Sequence, residues 1–347
     1  MRPVARLLAS ALLGVALATL ARAETRQART VPARTVPVPE TVSAQMQQLI
    51  ARGPTTPVVP KTADEWKALV AAASAVEMTR IATLRQRFSV EVIEKNIAGV
   101  RCYEVTPRGI PARNRNRLLV TVHGGGYVYG PGEAGNLEAI TMAGFARMRV
   151  LSIDYRMPPD WPYPAAMDDA MTVWKEIVRS VKPARIGLFG SSTGGGMTLL
   201  MVQRAKAEGL PLPAAIAPGT PWSDLSKTGD SYFTNEAVDN ELGGYEPLLS
   251  AAARLYANGV DLKDPRLSPV YGDFTGFPPT ILTTGTRDLF LSNTVRVHRK
   301  LREAGVDARL EVYEGQSHGQ YIPDPSAPET QEAFGEITRF FDTHLSR

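Results

Sequence analysis

The hydrophobic positions change period twice along the chain. Trp66, Leu69, Val70 and Ala73 recur at helical spacing behind Thr62-Ala63-Asp64-Glu65, which has the form of a capping box, so a helix is predicted over 66–87. From Phe88 the period becomes two. Phe88–Lys95 and Val100–Thr106 read as strands joined by a short turn at Asn96–Gly99. Beyond Arg117 come short, continuous aliphatic runs at Leu118–His123, Val150–Asp154, Arg185–Gly190, Ala214–Ala217, Thr280–Thr284 and Ala308–Tyr313. Runs of this kind suit strands buried on both faces. Helical stretches lie between them at Glu133–Met148, Ala166–Val181, Gly194–Glu208 and Asn293–Ala304, with a last one at about Glu329–His344. A hairpin followed by alternating strands and helices predicts an α/β protein, an open and mostly parallel sheet with helices on both faces.

Two stretches break this rhythm. Residues 24–61 are rich in Pro, Arg, Thr and Val with no sustained period, and read as a mobile lead-in. Trp222–Asn258 separates two strands by far more than a usual loop, with helical spacing near Tyr245–Leu255. Long insertions at the C-terminal edge of a parallel sheet are where lids and specificity elements sit.

The first residues carry a separate signal. Met1–Arg6 contains two arginines, Leu7–Leu20 is apolar, and Ala21-Arg22-Ala23 is a small-x-small cleavage pattern before Glu24. The apolar run is shorter than the roughly 18 residues of a bilayer span, so 1–23 reads as a secretory signal peptide, the alternative being an uncleaved N-terminal anchor. Without the three leader arginines, the 39 basic and 35 acidic side chains become 36 and 35. That near-neutral balance points to neither nucleic acid nor an anionic membrane as partner, and no membrane association is expected after cleavage. A single cysteine, Cys102, excludes an intramolecular disulfide and a Cys-rich metal site, and its place in an alternating run reads as a packed thiol. Export without disulfides fits a periplasmic or secreted bacterial-type protein.

Gly190-Ser191-Ser192-Thr193-Gly194 fits G-x-S-x-G, with a predicted strand before it and a predicted helix after. A serine on such a strand-to-helix turn is forced into a strained conformation that lifts its hydroxyl clear of the sheet edge. The flanking Gly190 and Gly194 leave room where a Cβ would strike the neighbouring strand and helix. A phosphate loop is excluded, because no Lys follows the glycines and G-x-G-x-x-G is absent. His123-Gly124-Gly125-Gly126-Tyr127 ends a strand. Three glycines in a row are costly in chain entropy, and suit a place where backbone N–H groups approach a substrate oxygen closely.

A hydroxyl nucleophile needs a base, and the chain has four histidines. His123 heads the glycine run and reads as structural; His298 lies in a helix among basic residues and reads as solvated; His344 is near the C-terminus. His318 alone combines a loop position after the last strand with the chain order Ser…Asp…His. The orienting acid is expected at another strand end between them. Asp288, just past Thr280–Thr284, fits; its competitors Asp224 and Asp264 belong to the insertion or the loop closing it. No His/Asp/Glu cluster has metal-ligand spacing, so neither a metal nor another cofactor is expected.

Five motifs in order, His123–Tyr127, Asp154–Asp160 with Pro164-Ala165-Ala166, the Ser192 turn, Asp288 and His318, resemble the hormone-sensitive lipase family of α/β-hydrolases in its bacterial esterase branch. The resemblance runs from about residue 88 to the end. It implies an eight-stranded sheet and Ser192 as nucleophile, His318 as base and Asp288 as its partner. It also implies an oxyanion hole from the amides of Gly125, Gly126 and Thr193, with Asp154 and Arg156 bracing the nearby loops. Residues 24–87 and about 223–256 would form a helical cap on a catalytic domain spanning 88–347. Two positions differ from many relatives: Ser191 replaces an acidic residue and Thr193 a common alanine, so one charge beside the nucleophile is lost and the oxyanion site is crowded.

The reading is a serine carboxylesterase acting on small, short-acyl esters or lactones. The alternatives are an amidase or peptidase with the same triad and, from a different class, a non-catalytic binding protein on the same scaffold. The leader makes its own testable statement: intact-mass analysis of exported protein is expected to give Glu24 as the first residue, and retention of Met1–Ala23 would refute cleavage.

Overall fold

The computed structural model describes residues 30–53 and 58–346. The leader Met1–Ala23 and its cleavage point lie outside them. The chain divides into two compact units, Met1–Pro37 and Val38–Arg347. The described part of the first, 30–37, contains no helix or strand.

The second unit is built on one eight-stranded sheet. Its strands are β1 (Val90–Ile97), β2 (Val100–Pro107), β3 (Leu118–Val122), β4 (Arg149–Ile153), β5 (Ile186–Ser191), β6 (Ala215–Gly219), β7 (Thr280–Gly285) and β8 (Ala308–Tyr313). They lie in the order β1-β2-β4-β3-β5-β6-β7-β8. Strand β2 is antiparallel to both neighbours, and every other pairing is parallel. The helices are α1 (Ala44–Ile50), α2 (Ala63–Phe88), α3 (Leu137–Ala146), α4 (Ala165–Ser180), α5 (Thr193–Ala207), α6 (Ser231–Thr234), α7 (Leu248–Ala257), α8 (Leu291–Glu303) and α9 (Pro328–His344).

Alternation along the central strands divides the core in two. Leu118, Val120 and Val122 of β3, with Ile186 and Leu188 of β5, face one layer that includes Met171 and Trp174 of α4 and Leu199 of α5. Leu119 and Phe189 face the other, with Ile140 of α3 and Phe334, Phe340 and Phe341 of α9. Burial on both faces is why these strands read as continuous apolar runs.

The order of the central strands creates the site. From β3 the chain goes to one side for β4 and then crosses to the other side for β5, so β3 lies between them. The C-terminal ends of β3 and β5 therefore open onto a crevice at a topological switch point, where open α/β sheets bind ligands.

Two segments flank that crevice. The capping box is present: Glu65 N–H donates to Thr62 Oγ1 at 3.2 Å, and Thr62 N–H donates to Glu65 Oε2 at 3.4 Å. Trp66 of α2 packs in one small cluster with Val128, just beyond the glycine turn, and Ala252 of α7. The long connection from β6 to β7 carries α6 and α7, and Tyr256 of α7 stacks on Tyr127 with ring centroids 3.6 Å apart. One expectation is corrected here. Residues 44–50, assigned to a mobile lead-in, form α1, with Met46, Leu49 and Ile50 buried and Ser43 Oγ accepting from Met46 N–H at 3.1 Å. Two turns are too short to show a period in sequence.

Since Trp66 joins both flanking segments, Trp66→Ala is expected to loosen them by about 3 kcal/mol. Hydrogen exchange should accelerate in α2 and α7 while β3 and β5 keep their protection. Uniform acceleration across the sheet would refute this local role.

Candidate active site

Ser192 stands between the last residue of β5 and the first of α5 with φ +61° and ψ −124°. Such a conformation costs a non-glycine residue about 1–3 kcal/mol and persists only where the surroundings enforce it. Here they do. Ser192 N–H donates to the Gly219 carbonyl at 2.9 Å, and its own carbonyl accepts from Trp222 N–H at 2.8 Å and Gly196 N–H at 3.0 Å. A Cβ on Gly190 or on Gly194 would strike the same atom, the carbonyl oxygen of Val122 at the end of β3. Both glycines of the pentapeptide are therefore required by one close approach.

The glycine turn lies against this elbow. A Cβ on Gly124 would sit 2.7 Å from the Ser191 carbonyl oxygen and 3.2 Å from Ser192 Cβ. Gly125 and Gly126 have φ of +116° and +63°, and both line the cavity into which Ser192 opens. Thr193 supplies the first amide of α5, in the turn that a helix leaves without intrahelical acceptors. Its side chain is fully buried.

His123 holds the turn, as expected. Its Nδ1–H donates to the Gly124 carbonyl at 2.7 Å, its ring stacks on Tyr155 with centroids 4.3 Å apart, and Tyr155 Oη–H donates to the His123 carbonyl at 2.7 Å. Burial lowers its pKa against the weaker opposing effect of the Gly124 bond, so the ring is neutral. Asp154 accepts from Gly132 N–H at 2.9 Å and pairs with Arg101, which braces the loop after the glycines. Arg156 forks onto Asp169 of α4 at 2.8 Å and lies over the Trp161 ring.

His318 follows β8, and its Nδ1 lies 3.0 Å from Asp288 Oδ1. Asp288 is fully buried just past β7. Its Oδ2 accepts from the Thr220 hydroxyl and from Thr284 Oγ1 at 2.7 Å, and its Oδ1 accepts from Phe290 N–H at 2.7 Å. Burial alone would raise the Asp288 pKa, but the charge and hydrogen bond of His318, with the two threonine hydroxyls, hold it below the usual carboxylate value. Burial likewise works to lower His318, yet the charge and hydrogen bond of Asp288, reinforced by Asp239 and Glu241, raise it above the ordinary histidine value. The competitors are engaged elsewhere: Asp224 pairs with Arg296 at 2.7 Å and Asp264 with Arg266 at 2.6 Å. His298 is half-buried rather than solvated, with Nε2 3.3 Å from the Ala308 carbonyl oxygen.

Ser192, His318, the glycine turn and Thr220 line one cavity of about 550 Å³, within the range of small-molecule sites. Leu242, Leu248, Leu249 and Ala252 of the insertion give it apolar walls. A larger cavity of about 800 Å³ near Met167 and Leu200 has no Ser, Cys or His in its lining. Chemistry, not size, marks the site.

Three residues that the sequence reading did not single out belong here. Thr220 and Thr284 hold Asp288, as described. Glu138 of α3 lines the cavity and accepts from Ser191 Oγ–H at 2.7 Å, while Ser191 also meets Tyr321 Oη at 2.8 Å. Burial pushes the Glu138 carboxyl up to about 7. The carboxyl group expected to be missing at position 191 is thus supplied by a neighbour, bonded to that serine. Among the described residues, no group of three or more His, Cys, Asp or Glu is placed to hold a metal ion.

A family model described as alpha/beta hydrolase fold matches residues 119–322. The chain belongs to the α/β-hydrolase fold family. An acetyl-hydrolase of Streptomyces hygroscopicus is 30% identical over 234 residues, 67% of this chain and 78% of that one. The crystal structure of an esterase, E25, is 46% identical with TM-score 0.88, covering 92% of this chain and 99% of the other. An esterase from the bacterial hormone-sensitive lipase family is 28% identical with TM-score 0.73, covering 84% and 94%. Within the α/β-hydrolases, the chain falls in this hormone-sensitive lipase branch.

The electrostatics generate a pH prediction. An imidazole must be neutral to act as a base, so with His318 in that role activity is expected to fall as pH drops through its pKa. Because that pKa is raised, the acid limb of kcat/KM is expected to have its midpoint above 6.5, the ordinary histidine value. A midpoint below 6 would refute the electrostatic account.

Proposed function

We propose that this chain is an exported serine carboxylesterase that hydrolyses small esters with short acyl groups through Ser192, His318 and Asp288. At the coarser level it is a carboxylic ester hydrolase, in keeping with its esterase and acetyl-hydrolase relatives. The observation that carries the finer reading is one cavity lined by a serine at φ +61° and by a histidine whose Nδ1 is bound to a buried aspartate.

With Nδ1–H donated to Asp288, the lone pair of His318 sits on Nε2. His318 takes the proton of Ser192 as its Oγ attacks the ester carbonyl carbon, and the carbonyl oxygen becomes an oxyanion. The amides of Gly125, Gly126 and Thr193 stabilise that charge, since donors fixed before the reaction need no reorganisation. Collapse breaks the bond to the alcohol oxygen, which leaves with the proton from His318, and the acyl group stays on Ser192. Water then attacks the acyl-enzyme with His318 as base, and the carboxylic acid is released. Asp288, kept ionised, stabilises the imidazolium formed in each half.

The cavity volume and the apolar wall from Leu242 to Ala252 support a short acyl group. Each buried methylene adds about 0.8 kcal/mol of binding until the space is full, and nothing after that. Lactones satisfy the same chemistry. Among the described residues no helix is long and apolar enough to cross a membrane. Export rests on the leader Met1–Ala23.

Two measurements test the proposal. Ser192→Ala and His318→Ala are each expected to cost several orders of magnitude in turnover and by similar factors, because the pair acts as a unit. Near-normal turnover in either would refute the assignment. Across p-nitrophenyl esters from acetate to palmitate, kcat/KM is expected to peak at short acyl length; a maximum at twelve carbons or longer would refute the short-acyl reading.

A further inference from the structure

The insertion between β6 and β7 holds a carboxylate that the reaction itself does not use. Asp239 is fully buried, and its carboxylate accepts from four main-chain amides. Its Oδ1 accepts from Glu241 N–H at 2.9 Å and Leu242 N–H at 3.0 Å. Its Oδ2 accepts from Leu289 N–H at 2.7 Å and from His318 N–H at 3.3 Å. Leu289 directly follows Asp288. One oxygen atom therefore joins the backbone of the base to the residue next to its acid.

The neighbouring residue extends the link. Asn240 N–H donates to Ser317 Oγ at 3.1 Å, and Asn240 Oδ1 accepts from Gln320 Nε2 at 2.7 Å, so the loop carrying His318 is gripped on both sides. Asn240 Nδ2 donates to the carbonyls of Leu49 at 2.7 Å and Arg52 at 3.0 Å, at the end of α1. Two consecutive residues thus tie together the loop after β7, the loop after β8 and the N-terminal helix.

We propose that Asp239 is a positioning residue for the ester hydrolysis, fixing the loops that carry Asp288 and His318 relative to each other and adding negative charge behind the imidazole. The inference rests on the triad assigned above. An ionised carboxylate beside another buried carboxylate is unfavourable unless hydrogen bonds compensate, and four amides do so here. Burial and the Asp288 charge raise the Asp239 pKa to about 6, against the lowering effect of His318 and the amides. The titratable groups facing this pair are Asp288 from the loop after β7, His318 from the loop after β8, and Glu241 on the insertion itself. Helix α1, with sequence AQMQQLI, adds none. An asparagine could not replace the carboxylate: its amide nitrogen cannot accept, so in either orientation two of the four N–H donors lose their acceptor.

Asp239→Asn in the full chain is the test, with a short-acyl p-nitrophenyl ester as substrate. The expected result is a fall in kcat of roughly tenfold or more, as small misplacements of catalytic groups give, with KM within about twofold. The acid limb of kcat/KM should also move to lower pH, because the lost charge favoured the imidazolium. An unchanged kcat and limb would overturn the proposal, and so would a loss of kcat with the limb in place, which marks a structural role alone. Should Asp239→Asn fail to fold, Asp239→Glu decides. Keeping the charge but moving the oxygens, it is expected to lower kcat with the acid limb unmoved, and a wild-type kcat or a shifted limb would overturn the proposal. Ser192→Ala and His318→Ala separate the two readings. If both are inactive while Asp239→Asn behaves as wild type, only this inference falls; if His318→Ala is active, the triad falls with it.

Discussion

The carbonyl oxygen of Val122, at the end of β3, is approached so closely by Gly190 and Gly194 that neither can carry a side chain. That packing brings β5 and α5 against β3, with Ser192 at the turn between them. The positive φ of Ser192 follows from it, as does the position of the hydroxyl above the crevice. The glycine turn continues from the same strand end, so Ser192 and the proposed oxyanion donors share one rigid origin. Placement by strand ends rather than by flexible loops keeps such groups at reacting distance without a cost at each turnover.

The second organising constraint is the burial of carboxylates. Asp288, Asp239 and Glu138 are drawn around one imidazole and one serine loop, and each is held differently. Asp288 has two threonine hydroxyls, an amide and His318, and stays ionised; Asp239 has four amides and is raised by burial and by Asp288; Glu138 has Ser191 and is raised further. The donor set thus decides the charge state of each acid, as general physical chemistry requires of buried titratable groups. The imidazole, facing mostly negative neighbours, becomes a stronger base than histidine in water.

The flanking segments do more than cover the cavity. Tyr256 on Tyr127 and Trp66 with Val128 press the insertion and α2 onto the residues just after the glycine turn. Asn240 links α1 to the loop of His318. Elements that line the cavity are therefore in direct contact with the loops that carry the proposed catalytic groups.

The layout of strands and helices, the Ser192 turn, the glycine run and the pairing of Asp288 with His318 were all legible in the sequence. Each is written in local terms: period, strand-end position, glycine spacing and chain order. Element ends moved by a few residues, and the helix at 44–50 was missed because two turns carry no readable period. Asp239, Thr220 and Glu138 were not legible, since an acid in a polar insertion and a threonine after a strand look like solvated residues. Their meaning lies in partners such as Leu289, His318, Asp288 and Ser191, which stand about 50 to 80 positions away in the chain. Arg156 shows the same limit from the other side, since its motif was visible but its partner, Asp169, was not. Local pattern determined which residues could do chemistry; only the tertiary fold decided which buried charges surround them, because desolvation and hydrogen bonding are properties of neighbours in space.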